Sequence, residues 1–124
     1  MKLLLTSLLI TSSLTFAVKI TNAHFDVLTK KIELEVEYSG GCGEHMWGLT
    51  VDKCLTIKKK LSCDVVLLHV ADDPCELLHQ GFVGFSLEEA NLSDDKYSGA
   101  ELRLFSEEFS KEEDIIKINL PKLN

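Results

Sequence analysis

A strict alternation of apolar and acidic residues covers residues 32–38, whose sequence is IELEVEY. Successive side chains of a β-strand point to opposite faces of a sheet, so this period of two places the apolar residues on one face and the glutamates on the other. The pattern predicts a half-solvated antiparallel strand. It restricts the chain to folds in which a sheet covers a core with one of its faces.

Five further segments have the composition and spacing of strands, namely residues 47–57, 65–70, 77–87, 101–104 and 116–120. The apolar residues from Trp47 to Ile57 share one parity, and residues 65–70 are apolar on both, which predicts a central strand covered on both sides. Gly81 and Gly84 predict a bulge or bend in the fourth segment. Together the segments predict an all-β fold, a small antiparallel β-sandwich or partly open barrel of about six strands.

The first residues have the organisation of a signal peptide. Lys2 precedes a short apolar run, and small residues follow as far as Ala17. Cleavage is expected after Ala23 or, alternatively, after Ala17. Cleavage after Ala23 assigns residues 1–23 to the signal peptide and residues 24–124 to a single β domain. The sequence thus predicts a secreted or periplasmic protein that does not insert into a membrane once the signal is removed.

The charge balance limits the classes of partner. The chain has 20 Asp and Glu against 13 Lys and Arg, a net charge of −7, which argues against nucleic acid as a ligand. The sequence contains no complete set of catalytic residues, so we expect a binding protein that is not an enzyme. An acidic surface favours a cationic protein partner, for example an envelope-degrading hydrolase.

Four cysteines in a short exported chain predict disulfide bonds, and four allow three pairings. A hairpin centred on residues 58–59 would place Cys54 opposite Cys63 and Cys42 opposite Cys75, so this register favours the nested pairing. The same register predicts three apolar cross-strand pairs, Trp47 with Val70, Leu49 with Leu68, and Val51 with Val66.

Two short motifs flank this hairpin, GGCGEHMW at residues 40–47, and LH at 68–69 followed by DPCE at 73–76. They resemble the elements of a group of uncharacterised small exported bacterial proteins, Gly-Gly-Cys-x-x-His-x-aromatic and a later His followed by Asp-x-Cys-Glu. The resemblance implies architecture and no particular activity. Cys54 and Cys63 lie outside the shared pattern, which fits Cys42 and Cys75 belonging together.

The predicted register also places His45 opposite Asp72 at the outer end of the hairpin, together with His69, His79, Asp73 and Glu76. Imidazole and carboxylate groups are suitable ligands for zinc or copper. The alternative is structural, with His45 capping the glycine-rich turn and His69 packed in the sheet. The candidate partner-binding residues are His45, Trp47, Asp72 and Asp73.

Cleavage after Ala23 would make His24 the first residue of the mature chain. The free terminal amine and the His24 imidazole can then chelate one Cu²⁺ ion together. In this terminal histidine the chain resembles the histidine brace of exported copper proteins. The main expectation is a protein without a cofactor, and copper or zinc binding is the alternative. The candidate metal ligands are His24, His45, His69 and His79.

Overall fold

The computed structural model describes residues 17–72, 75 and 77–122, which form two β-sheets. Three strands form the first sheet and four form the second, with no closed barrel, so the predicted all-β sandwich is confirmed. The strands are β1 (Val18–Asp26), β2 (Lys31–Gly40), β3 (Glu44–Ile57), β4 (Lys60–Asp72), β5 (Leu77–Ser86), β6 (Glu101–Ser106) and β7 (Ile116–Asn119). Two short 3-10 helices, Asp95–Tyr97 and Glu112–Asp114, lie on either side of β6.

The first sheet has the order β1-β2-β5 and the second has the order β3-β4-β6-β7. Neighbouring strands are antiparallel except β4 and β6, which pair in parallel. The parallel pair arises because the chain crosses from β4 to the first sheet, where β5 pairs with β2, and then returns to place β6 beside β4. No helix in the described ranges has the length and hydropathy needed to cross a membrane.

β1 is a strand that the sequence analysis did not predict. It pairs with β2 from Val18 opposite Tyr38 to Asp26 opposite Lys31, and its Val18 and Ile20 side chains are buried. Cleavage after Ala23 would remove most of β1, whereas cleavage after Ala17 would leave the strand whole. The rest of the predicted signal peptide, residues 1–16, lies outside the described residues, and the cleavage site itself stays a prediction.

The core lies between the two sheets and is built from alternate residues of the strands, as the period-two pattern of β2 predicts. Fully buried side chains come from β2 (Ile32, Leu34 and Val36), β4 (Cys63, Val65 and Leu67) and β6 (Leu102 and Leu104). The glutamates of β2 point outward and are half-buried. Burial of each large aliphatic side chain contributes about 1.5–3 kcal/mol, which is the main term that holds the sheets together.

The β3–β4 hairpin departs from the predicted register at one point. Cys54 is opposite Cys63 as predicted, but there is a β-bulge between Val51 and Lys53. From Val51 to Glu44, on the side of the bulge away from the turn, the pairing is shifted by one residue. The three predicted apolar pairs are therefore wrong. The observed pairs are Trp47 with His69, Leu49 with Leu67, and Val51 with Val65.

The bulge also reverses which face the later residues of β3 occupy. Leu55 and Ile57, predicted to share a face with Trp47, are 62% and 56% exposed instead. A one-residue slip moves every following side chain to the other face of a strand, so the change follows directly from the bulge. The prediction for β4 is correct in one respect and wrong in another. The strand is central in its sheet, but its outer face is not covered, because Leu68 and Val70 are exposed.

Candidate functional site

Five aromatic and imidazole side chains meet at one end of the core. We call this end the mouth of the hairpin, where β3 begins at Glu44 and β4 ends at Asp72, and we call the opposite end, at the turn of Lys58 and Lys59, the tip. Alternation along each strand directs one or two inner-face residues into the mouth. The mouth cluster consists of Tyr38 from β2, His45 and Trp47 from β3, His69 from β4 and His79 from β5.

His45 and His69 are in direct contact. The His45 Nδ1 and His69 Nε2 atoms are 2.6 Å apart, and the ring centroids are 4.9 Å apart with an interplanar angle of 18°. One neutral imidazole nitrogen donates and the other accepts, so the contact requires complementary protonation states in the two rings. The His69 ring also packs on Trp47, with centroids 4.2 Å apart. These contacts hold both imidazoles at the mouth.

Tyr38 lies at the centre of the cluster. Its ring centroid is 4.9 Å from that of His45, 5.3 Å from that of Trp47 and 5.9 Å from that of His79. Gly81 makes room for this ring, since a Cβ there would lie 3.2 Å from Tyr38 Cε1. The alternation of residues 32–38 predicts Tyr38 on the apolar face of its strand, but no sequence motif marks it as a site residue.

Gly81 and Gly84 do not form the predicted bulge or bend. β5 keeps one continuous register with β2 from Lys31 opposite Ser86 to Gly40 opposite Leu77. The two glycines instead make room for side chains of β2, because a Cβ at Gly84 would lie 3.2 Å from a carboxylate oxygen of Glu33.

His79 occupies a tighter position than the other two histidines of the cluster. Its Nε2 atom is buried and has no hydrogen-bond partner among the described residues. The ring lies against Gly41, where it leaves no room for a Cβ, and Gly41 has a φ of +117°, which strongly favours glycine. A buried imidazole nitrogen without a hydrogen bond carries a desolvation cost. Packing therefore explains the role of His79 less well than that of the other polar groups at the mouth.

The disulfide Cys42–Cys75 closes the mouth. It links the bend after β2 to the segment between β4 and β5, with Cα atoms 5.7 Å apart, and the second disulfide, Cys54–Cys63, crosses the hairpin near the tip with Cα atoms 4.0 Å apart. The nested pairing predicted from the sequence is confirmed. Chain-entropy arguments give each bridge about 2.5–4 kcal/mol of stabilisation.

The remaining predicted site residues do not join the cluster. His24 is exposed in β1, opposite Glu33, and β2 separates it from β5. Asp72 is exposed and lies opposite Glu44, so the predicted pairing of Asp72 with His45 is wrong because the bulge shifts the register. Asp73 and Glu76 lie outside the described residues.

The chemistry available at the mouth is that of three imidazoles, one phenol and one indole. Within the described residues, no group of three or more His, Cys, Asp or Glu side chains has the spacing of a metal site. The cluster offers two imidazole nitrogens in contact and a third, that of His79 on another strand, which has no hydrogen-bond partner among the described residues.

The outer surface beside the mouth is apolar and acidic. Met46 and Val70 face each other across the strands and are 71% and 68% exposed, and the neighbouring Leu68 is 39% exposed. The next pair on the same face of the sheet is Glu44 opposite Asp72, two like charges on exposed residues. We call these five residues the mouth surface.

The fold and this site define a class, a disulfide-bonded β-sandwich domain with a histidine and aromatic cluster at one end. No protein-family model matches the chain, and no match to it was found among curated proteins or among solved structures.

Proposed function

We propose that this protein is an exported binding domain, rather than an enzyme, and that it binds a cationic protein partner through the mouth surface. The observation that carries the proposal is the juxtaposition of an exposed apolar patch with two acidic residues, Glu44 and Asp72, that form no ion pair with any described residue. Both disulfides support export, because disulfides persist in oxidising compartments.

The apolar part of the mouth surface is exposed to solvent. Met46, Leu68 and Val70 form a contiguous patch on the outer face of the second sheet, where they leave apolar area in contact with water. Exposed apolar patches rimmed by polar residues mark interaction surfaces in soluble proteins. Covering this patch on binding would recover about 25 cal/mol for each Å² of apolar area removed from water.

The charged part of the mouth surface selects the partner. Like charges directly opposite each other weaken a strand pair, so Glu44 opposite Asp72 is unfavourable for the isolated domain. A cationic side chain of a partner would relieve this repulsion. The net charge of −7 also attracts a basic protein at longer range, and this raises the rate of association.

The proposal is tested by affinity capture with matched variants. The immobilised protein is exposed at low salt to the exported proteins of its own cells, and wild type is expected to retain a basic protein. Met46→Ser/Val70→Ser should weaken binding of the purified partner at least tenfold, roughly the 1.4 kcal/mol scale of one good apolar contact. Glu44→Lys/Asp72→Lys should mainly slow association at low salt.

Val27→Ser/Leu28→Ser is the matched control, because both residues are exposed and apolar but lie in the turn between β1 and β2. It should bind like wild type. Retention of no basic protein, or equal binding by the mouth variants and the control, would contradict the proposal.

Export includes removal of the signal peptide, and we propose that cleavage follows Ala17. The burial of Val18 and Ile20 supports this position, since a chain beginning at His24 would lose both side chains from the core. Intact-mass measurement of the exported protein should give a first residue of Val18. A mass that begins at His24 would contradict this proposal and would restore the terminal copper chelate as a candidate.

Zinc or copper binding at the mouth is the second candidate function, favoured by the contact of His45 with His69. Two imidazole nitrogens on one metal ion, at about 2.0–2.1 Å each, lie about 3.3 Å apart in tetrahedral geometry. The observed 2.6 Å separation would therefore have to widen by about 0.7 Å as the metal replaced the shared proton. Water would complete the coordination.

Calorimetric titration with Zn²⁺ and with Cu²⁺ tests this candidate. His45→Gln/His69→Gln should lower the affinity for the metal at least tenfold. His24→Gln, at an exposed position of β1 outside the cluster, should leave the affinity unchanged. Absence of binding to wild type, or equal binding by the double variant, would contradict a metal site at the mouth.

A further inference from the structure

Four lysines from separate parts of the chain surround an open cavity of about 380 Å³ near the tip of the hairpin. Lys59 belongs to the turn, Lys60 begins β4, Lys96 lies in the first 3-10 helix, and Lys122 follows β7. Only Lys59 and Lys60 are adjacent in sequence, so tertiary folding brings the four together. A cavity of this size falls at the lower end of the range for sites that hold small organic molecules.

Within the described part of the chain, no carboxylate lines this cavity to neutralise its positive charge. The chain has 20 Asp and Glu, yet among the described residues none of them lines the cavity. Both ion pairs of the described part involve Arg103, which lies outside the cavity. An acidic protein therefore carries a local concentration of positive charge, where an anion would be attracted.

Neutral groups hold two of the four ammonium groups in place. Lys60 Nζ donates to Asn119 Oδ1 at 2.6 Å, and Lys96 Nζ lies 5.1 Å from the ring centroid of Tyr97. An amide oxygen and an aromatic ring orient an ammonium group without cancelling its charge. This arrangement leaves the charge available to a ligand.

The turn at the tip supplies an independent observation. Lys58 and Lys59 have φ values of 52° and 67°, a two-residue turn with both residues in the left-handed region. Such turns favour Asn and Gly, since other side chains are strained there. Strain of this kind concentrates at functional sites, and here it places a long cationic side chain, that of Lys59, at the rim of the cavity.

We propose that this lysine cavity binds a phosphate ester of sugar-phosphate size. Ammonium groups from several directions can donate charge-assisted hydrogen bonds to the phosphate oxygens, and the cavity has space for the organic part. The same chemistry is present in a free phosphorylated sugar and in the phosphorylated headgroup of an anionic lipid. The site is independent of the proposed partner-binding function, because it lies at the opposite end of the β3–β4 hairpin.

Two probes distinguish these sources. Titration with glucose 6-phosphate measures binding of a free phosphate ester, and co-sedimentation with vesicles that contain phosphatidylglycerol, against neutral phosphatidylcholine vesicles, measures binding of a headgroup. We expect saturable binding of one probe at least, weakened by added salt. Binding of neither probe would overturn the proposal.

Matched variants locate the binding. Lys96→Gln/Lys122→Gln should weaken it at least tenfold, about the loss of one hydrogen bond to a charged group. Lys111→Gln/Lys117→Gln makes the same change in net charge outside the cavity and should have little effect. Lys59→Asn should also weaken binding, while Lys58→Asn, in the same turn but outside the cavity lining, should not. The proposal would be overturned if Lys96→Gln/Lys122→Gln bound as well as Lys111→Gln/Lys117→Gln, or Lys59→Asn as well as Lys58→Asn. Circular dichroism of each variant confirms that the domain is folded.

Discussion

The tip and the mouth are two ends of one β-hairpin, and they differ in how their structure is determined. At the tip, the turn of Lys58 and Lys59 and the disulfide Cys54–Cys63 fix the pairing over a short distance along the chain. At the mouth, the disulfide Cys42–Cys75 joins loops that lie far apart in sequence, and side chains of four strands meet. Local geometry governs the tip, and the packing of the two sheets governs the mouth.

The bulge at Asp52 separates these two regimes. On the tip side the register is the one that the turn dictates, and on the mouth side it is displaced by one residue. This displacement directs Trp47 and Leu49 toward the core and brings His69 opposite Trp47. A correct pairing near a turn therefore does not extend along a strand once an extra residue intervenes.

Deletion of Asp52 should have the largest effect, because it removes this separation. Without the extra residue, either the inner residues of the mouth or Cys54 must turn to the wrong face. We expect a loss of at least about 4 kcal/mol in the free energy of unfolding, a large part of the stability of a small domain. Urea denaturation measures it. Asp52→Gly keeps the residue count and should cost less than about 1 kcal/mol, and a deletion variant as stable as wild type would show that the bulge does not set the faces.

Removal of each disulfide in turn compares the two ends directly. The sequence separations of 33 and 9 residues predict losses of about 3.5 kcal/mol for Cys42→Ala/Cys75→Ala and about 2.5 kcal/mol for Cys54→Ala/Cys63→Ala. Trp47 is the single tryptophan and reports on the mouth. Its fluorescence should change when the mouth bridge is absent and stay nearly constant when the tip bridge is absent. Equal spectral changes would mean that the two ends are not independent.

Relief of the strained turn should stabilise the tip without a change at the mouth. Lys58→Asn and Lys59→Gly should each raise the free energy of unfolding by about 0.5–1 kcal/mol, since these residues adopt positive φ at lower cost. Thermal denaturation provides the measurement. Lys117→Asn, at an exposed position of β7 where φ is not positive, is the control and should give no gain. A destabilised turn variant would indicate that the lysine side chains contribute contacts that outweigh the strain.

The smallest expected effect is at the mouth surface. Glu44→Gln removes the repulsion with Asp72 and should stabilise the isolated domain by a few tenths of a kcal/mol at low salt, an advantage that high salt removes. Glu37→Gln should not stabilise, because Glu37 lies opposite Lys19 on β1. Equal effects of the two substitutions would show that general charge, rather than this pair, matters.

Much of the fold was predictable because its causes are local. The alternation of residues 32–38 identified β2 and its buried face, and the positions of the cysteines around the tip identified both disulfides. The cluster at the mouth was predicted only in part. His45, His69 and Trp47 do come together, but Tyr38 was taken as an ordinary core residue, and His24 lies on a different strand. The presence of Tyr38 follows from the packing of two sheets, which no local pattern contains.

β1 is a second feature that local sequence patterns did not predict. Residues 18–26 follow an apolar signal-like segment directly, so composition alone does not mark where the domain begins. Only the burial of Val18 and Ile20 against β2 and the opposite sheet identifies them as part of the core.

Strand alternation and cysteine spacing are local features of the sequence, and they were sufficient to predict an all-β domain with two nested disulfides. Only the packing of the folded chain sets which strands share a sheet, which β4 residues stay uncovered and which lysines surround one cavity. These features depend on contacts between segments far apart in the chain. Their free energy comes from burial between sheets, which is non-directional and leaves little trace in the order of residues within any one strand.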